Sequence, residues 1–126
     1  MLTLDLVIRK ENGGYTGSLT YKDNPITQSA PSIPELETQI KKLLWEFESL
    51  GPETVEFEHY FQCPAFFDAF QVLDVDQLAV LTAIDAGKLR AFASGTQKPV
   101  PEEAEKIEKA LKALASRLMK ASLVLS

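Results

Sequence analysis

The chain of 126 residues is 45% hydrophobic and 25% charged, which excludes wholesale disorder and is typical of one compact domain or two very small ones. Its net charge of −5 lies in residues 1–60, which carry five basic and ten acidic residues, whereas residues 61–126 carry eight of each; a site for an anion is therefore expected in the second half. No apolar run approaches the ~18 residues that span a bilayer, and the alternating N-terminus is not a signal-peptide core, which predicts a cytoplasmic protein with no membrane contact.

The first half of the chain alternates between apolar and polar residues, which is the period of a β-strand. Residues 2–9 form such a run, and Asn12-Gly13-Gly14 then supplies the positive-φ residues that a tight hairpin needs. The alternation resumes over residues 15–21 and breaks at a second turn, Asp23-Asn24-Pro25. A short segment, ITQSA, follows this turn, and the alternation returns over residues 54–62. These runs predict a small, mostly antiparallel sheet.

A helix is expected between the second turn and the last strand. Ser32 precedes Ile33-Pro34-Glu35, which places a cap, a proline and an acid in the order typical of a helix start, and Gly51-Pro52 ends the helix. The apolar residues that line one face of it are Ile33, Leu36, Ile40, Leu43, Leu44 and Phe47. Residues 1–62 are therefore predicted to be one module, a small antiparallel sheet with one packed helix.

Trp45 breaks the apolar pattern of this helix, because it falls on the polar side. It lies on the surface or under the second half of the chain, or else it marks a contact with another subunit or partner, since exposed aromatics are favoured interface anchors. His59 and Cys63 are the only residues of their types and are interpreted as structural, one in a strand and the other a small buried residue. One histidine and one cysteine make neither a metal cluster nor a convincing nucleophile–base pair, so we expect no enzyme, no cofactor and no metal.

The second half is predicted to be entirely helical. Pro64 opens a short helix and Asp74 caps the next one. Residues 76–95 have the spacing of a helix-turn-helix, in which Asp85 caps the second helix and Gly95 ends it in the left-handed conformation. A last helix starts at Pro101, and its expected buried stripe is Ile107, Leu111, Leu114 and Leu118. Residues 63–126 are therefore predicted to be an all-α helix-turn-helix domain, and the whole chain an α+β protein.

Residues 74–111 resemble the helix-turn-helix of the phage-repressor superfamily, through the pattern Leu78-Ala79, Ile84, Leu89, Phe92, Ser94-Gly95, Lys98-Pro99 and Ile107. The whole chain resembles HicB-like antitoxins, in which a partial RNase H-like module (here NGGYTGSL to ITQSAPSIPELETQIKKLL) precedes a DNA-binding domain. The resemblance implies a self-regulating antitoxin whose first module is a binding platform and not a nuclease. It also implies three partners: double-stranded operator DNA, a small mRNA-cleaving toxin, and further copies of the chain in a homodimer or higher even oligomer.

The resemblance places the DNA contacts between residues 85 and 98. The candidate DNA-binding residues are Gly87, Lys88, Arg90, Ser94, Thr96 and Lys98. Arg90 is the best candidate for a base edge, because its guanidinium can pair with guanine through two hydrogen bonds, whereas both lysines and Thr96 are better placed for phosphate. This helix is poor in polar side chains, which predicts weak and strongly salt-dependent binding by a single subunit. Ala83 stands where the family commonly has glycine, which predicts a strain of ~1 kcal/mol if that residue is left-handed.

Two functions fit the sequence. The first is transcription regulation through residues 85–98. The second is an adaptor without DNA affinity that binds a basic protein through the acidic residues 1–60, because an acidic surface suits a cationic partner.

Overall fold

A computed structural model describes residues 1–125 and shows an α+β protein. Its strands and helices, in chain order, are β1 (Leu2–Glu11), β2 (Gly14–Tyr21), β3 (Asn24–Ala30), α1 (Ile33–Glu48), β4 (Val55–Phe61), α2 (Cys63–Ala69), α3 (Val75–Thr82), α4 (Ala86–Ser94) and α5 (Pro101–Lys120). The chain divides into two compact units, Met1–Phe70 and the residues from Gln71 onward. Within the described residues, no helix is long and apolar enough to cross a bilayer.

The four strands of the first unit form one mixed sheet in the order β3-β2-β1-β4. The pairs β1–β2 and β2–β3 are antiparallel, as predicted, but β4 runs parallel to β1, with Leu2 opposite Val55 and Ile8 opposite Phe61. The prediction of an antiparallel sheet is therefore wrong for β4. Alternation identifies a strand but carries no direction, and α1 supplies the long connection that a parallel neighbour requires.

Both hairpins of the sheet use left-handed residues. Asn12 and Gly13 have φ of 48° and 79°, which confirms the first predicted turn. In the second hairpin the left-handed residues are Lys22 and Asp23, because Tyr21 already pairs with Asn24. This turn therefore comes one residue earlier than predicted, and Pro25 lies in β3, an edge strand, where the lack of an N–H is tolerated.

The core of the first unit lies between one face of the sheet and α1. Its fully buried side chains are Leu6, Ile8, Leu36, Ile40 and Leu44, with Ala65 of α2 beside them. Gly17 lets the helix approach closely, because a Cβ at this position would lie 2.8 Å from Leu36 Cδ2 and 3.0 Å from Leu6 Cδ1. Phe47 is 75% exposed, contrary to its predicted place in the buried stripe, because the last turn of α1 is not covered.

The predicted module boundary after residue 62 divides two segments that the structure places together. Phe61 of β4 makes edge contacts with the rings of Phe66 and Phe70, so the segment around α2 packs on the sheet. The Tyr15 hydroxyl donates to Asp68 Oδ2 at 2.5 Å, and this bond raises the pKa of Tyr15 to about 12. The first unit therefore continues to Phe70.

His59 and Cys63 occupy different environments from one another. His59 lies in β4, as predicted, and its Nε2 is 2.5 Å from Glu37 Oε1 of α1. Cys63 begins α2 and is only partly buried, and this burial raises the pKa of its thiol.

The second unit contains α3, α4 and α5. Its buried apolar residues are Leu78, Ile84, Leu89, Phe92 and Ile107. The predicted stripe of α5 is buried only at Ile107; Leu111 and Leu114 are half-buried, and Leu118 is 64% exposed. Periodicity assigned Leu118 to the correct face, but it did not reveal how far along the helix the covering residues extend.

We predict that Gly17→Ala lowers the free energy of unfolding by about 1–3 kcal/mol, because the new Cβ pushes Leu36 and Leu6 out of well-packed positions. Urea denaturation followed by far-UV circular dichroism measures the loss. Ser18→Ala, the next residue on the opposite face, is the control and should change stability by less than about 0.5 kcal/mol. Equal effects of the two substitutions would show that α1 does not depend on the close approach at Gly17.

Candidate nucleic-acid interface

The junction between α3 and α4 is a sharp break in the chain. Helix α3 ends at Thr82, Ala83 is left-handed with φ of 57°, and α4 begins at Ala86. Since side-chain sterics disfavour positive φ for alanine by roughly 1–2 kcal/mol, the surrounding contacts must hold this turn. The two helices are therefore separate elements and not one continuous rod.

Side-chain caps fix the starts of both helices, as predicted. Asp74 accepts the backbone N–H groups of Asp76 and Gln77 at 2.8 and 3.2 Å, and Asp85 accepts that of Lys88 at 3.2 Å. The carboxylates satisfy donors that have no partner within the helix.

Thr82 also holds the turn, and sequence reasoning did not find it. Its buried hydroxyl donates to the Leu78 carbonyl at 2.8 Å and accepts the Ile84 N–H at 3.2 Å. One side chain thus closes the last turn of α3 and satisfies the first buried N–H after the break. A threonine at a helix end was the only signal in the sequence, and it says nothing about burial.

The other end of α4 is also held by local hydrogen bonds. Gly95 is left-handed with φ of 82°, as predicted, and its N–H bonds the carbonyls of Ala91 and Phe92. The Ser94 hydroxyl donates to the Ala91 carbonyl at 3.1 Å, and the Thr96 hydroxyl donates to the same oxygen at 3.3 Å. The hydroxyls of Ser94 and Thr96, both predicted to bind DNA, therefore also satisfy a carbonyl at the C-terminal end of α4.

The packing of α4 decides which of its residues face solvent. Leu89 and Phe92 are fully buried and define the inner side of the helix. Gly87, Arg90 and Ser94 are three and four residues apart, so they share the outer face, and all three are exposed. A Cβ on Gly87 would lie 2.9 Å from Asp85 Oδ2, so its lack of a side chain leaves room for the cap.

Lys88 lies off this outer face and forms an ion pair with Glu103 in the first turn of α5. Glu103 also accepts the Val100 N–H at 2.9 Å, and its pKa is lowered mainly by the hydrogen bond from Lys88. Lys88, which is predicted to contact phosphate, therefore links α4 to α5 through this ion pair. Lys98, in contrast, is exposed and forms no salt bridge within residues 1–125.

Arg90 projects from the outer face and bonds Asp76 of α3. Its Nη2 lies 2.6 Å from Asp76 Oδ1, and both side chains remain exposed. The structure thus brings Gly87, Arg90 and Ser94 together on one surface and directs Lys88 elsewhere.

Trp45, the predicted partner-binding residue, lies on α1 of the first unit and is 57% exposed. The structure places it on the surface of the first unit. Its role in binding a partner stays a prediction.

Comparisons of the chain with family models, with curated proteins and with solved structures found no match. The resemblance to HicB-like antitoxins therefore rests on the residue pattern and stays a prediction. The break at Ala83, the two caps and the exposed face of α4 are observed independently of that resemblance.

We predict that Ala83→Gly raises the free energy of unfolding by about 1 kcal/mol, because glycine adopts positive φ without a steric cost. Chemical denaturation of the full chain measures the change. Ala113→Gly, an exposed position inside α5, is the matched control and should lower stability by about 0.5–1 kcal/mol. A loss of the same size in both variants would mean that the turn at Ala83 carries no strain.

Proposed function

We propose that this protein is a DNA-binding transcription regulator of the HicB antitoxin type, with α3 and α4 as its helix-turn-helix. The observation that carries the proposal is the outer face of α4, where the exposed Arg90 and Ser94 side chains lie beside Gly87 on a helix that follows the break at Ala83. A short helix with an exposed arginine on its outer face is suited to base readout in a major groove, since a guanidinium can pair with guanine.

The roles of the candidate residues follow from their surroundings. Arg90 reads a base edge, because its guanidinium is exposed and still has free N–H donors. Lys98 and Thr96 lie just beyond the end of α4 and contact phosphate. Lys88 contributes to phosphate binding only if it leaves Glu103, so binding by one subunit is weak and falls steeply with salt.

The proposed active form is a homodimer or a higher even oligomer. One copy offers a single short reading helix, and a two-fold pair of such helices matches an operator with two half-sites. Pairing also doubles the number of cations on the DNA, which compensates for the few that each copy presents.

A gel shift with DNA from upstream of the protein's own reading frame tests the proposal. We expect a shift at low salt that weakens as salt rises, and Arg90→Ala should reduce affinity for this DNA by roughly fivefold or more, because a bidentate base contact is lost. Lys109→Ala on α5 is the matched control, since it also removes a cation from an exposed ion pair. The absence of any shift at low salt, or equal affinities of the two variants, would rule the proposal out.

A second candidate function is protein binding by the first unit. Asp5 and Glu58 stand directly opposite each other on β1 and β4, and neither forms a salt bridge within the described part of the chain. Like charges in this position destabilise a sheet, and the two carboxylates raise the pKa of the neighbouring Tyr60 hydroxyl. A cationic partner, such as a small basic toxin, would relieve this repulsion.

We predict that Glu58→Lys abolishes binding of the full chain to a small basic protein encoded next to it, because the new lysine neutralises Asp5 and repels the partner. Calorimetry with the purified neighbour measures the affinity. Glu46→Lys, the same charge reversal at an exposed position of α1, is the control. Retained binding by Glu58→Lys would exclude the sheet as the docking surface.

A further inference from the structure

We infer that Asp76 is a positioning residue of the DNA interface: it holds Arg90 for one base and at the same time lowers affinity for DNA of any sequence. This inference rests on the proposed function and deepens it, since it identifies what sets the balance between specificity and affinity at the outer face of α4.

Asp76 contributes to the fold as the acidic residue in the first turn of α3, but this contribution does not require a bond to Arg90. Asp74, not Asp76, supplies the side-chain cap of α3. The Arg90–Asp76 pair is exposed, with 57% and 68% of the two side chains accessible, and such pairs contribute little to stability. A short hydrogen bond between two long-range neighbours at the outer face of the reading helix therefore points to a role outside the folded chain.

The geometry of the bond leaves the arginine able to read a base. Asp76 Oδ1 accepts from Nη2 alone, at 2.6 Å, whereas a guanidinium carries five N–H donors. The remaining donors can still pair with the two acceptors of guanine. Fixing one end of the fork removes rotamer freedom before DNA arrives, which favours the one base position that the fork can reach.

The same carboxylate opposes phosphate. Asp76 is exposed beside the cation that would approach the DNA, so it neutralises part of the attraction of Arg90 for the backbone and adds its own repulsion. Removing it should therefore strengthen binding to random DNA and weaken discrimination between sequences. A residue with only a structural role would move both in the same direction.

The ion pair between Lys88 and Glu103 differs from the Arg90–Asp76 pair in its surroundings. The Glu103 side chain is only 13% exposed and is held by the Val100 N–H, so that pair joins two helices within the second unit. Asp76 has no comparable backbone attachment at its carboxylate among the described contacts. Of the two carboxylates that bind cations of α4, Asp76 is the one placed to influence a ligand.

The experiment selects binding sites from a random-sequence duplex library with the full-length protein, and compares wild type with Asp76→Ala, Arg90→Ala and the double variant. We expect Asp76→Ala to bind the unselected library more tightly, with a salt dependence steeper by about one unit, because one more cation meets phosphate. Its preference at the base read by Arg90 should fall about three- to tenfold. In the Arg90→Ala background, the same substitution should leave that base preference unchanged.

Glu105→Ala is the control, since it removes an exposed carboxylate that pairs with Lys109 at 3.0 Å on α5. It should alter neither base preference nor salt dependence as Asp76→Ala does. If wild type selects a sequence and Asp76→Ala selects it equally strongly, or if both control and variant behave alike, the inference fails while the proposed function stands. If wild type binds neither the library nor promoter DNA, the proposed function fails and the role of Asp76 fails with it.

Discussion

The break after Thr82 is the constraint on which the second unit depends. A left-handed alanine is unfavourable, yet the Thr82 hydroxyl, the Asp85 cap and the burial of Ile84 and Leu89 hold the chain in that shape. If α3 continued through residue 83, α4 would extend the axis of α3 as one rod and would not be a separate helix packed beside it. The outer face of α4 therefore exists because several weak local contacts outweigh one strained residue.

The positive charge that α4 presents is smaller than its number of lysine and arginine residues suggests. Each of the two cations within α4 has a carboxylate partner on a neighbouring helix, so the second unit presents less positive charge than its composition indicates. Lys98 and Arg90 are both exposed, and Arg90 shares its charge with Asp76. Affinity in such an interface depends strongly on salt and on the number of copies bound. We therefore propose an oligomer as the DNA-binding form.

One glycine leaves room for the close contact between α1 and the sheet in the first unit. A Cβ at Gly17 would overlap Leu36 Cδ2 and crowd Leu6 Cδ1, so the absent side chain leaves room for Leu36 of α1 on this face of the sheet. The opposite face of the sheet carries the opposed carboxylates of Asp5 and Glu58, a pairing that costs stability and is tolerated on an exposed surface. The packing face and the charged face thus follow from the same alternation of side chains along each strand.

The sequence by itself determined the local features of this protein: the strands and helices, the caps at Asp74 and Asp85, and the left-handed stop at Gly95, because short-range periodicity and capping chemistry depend only on neighbouring residues. Only the tertiary structure decided the parallel direction of β4, the attachment of α2 to the sheet, the exposure of Leu118, and the partners of Lys88 and Arg90. These features depend on contacts between residues far apart in the chain. The sequence pattern around a charged or apolar residue does not show which distant residue will lie beside it after folding.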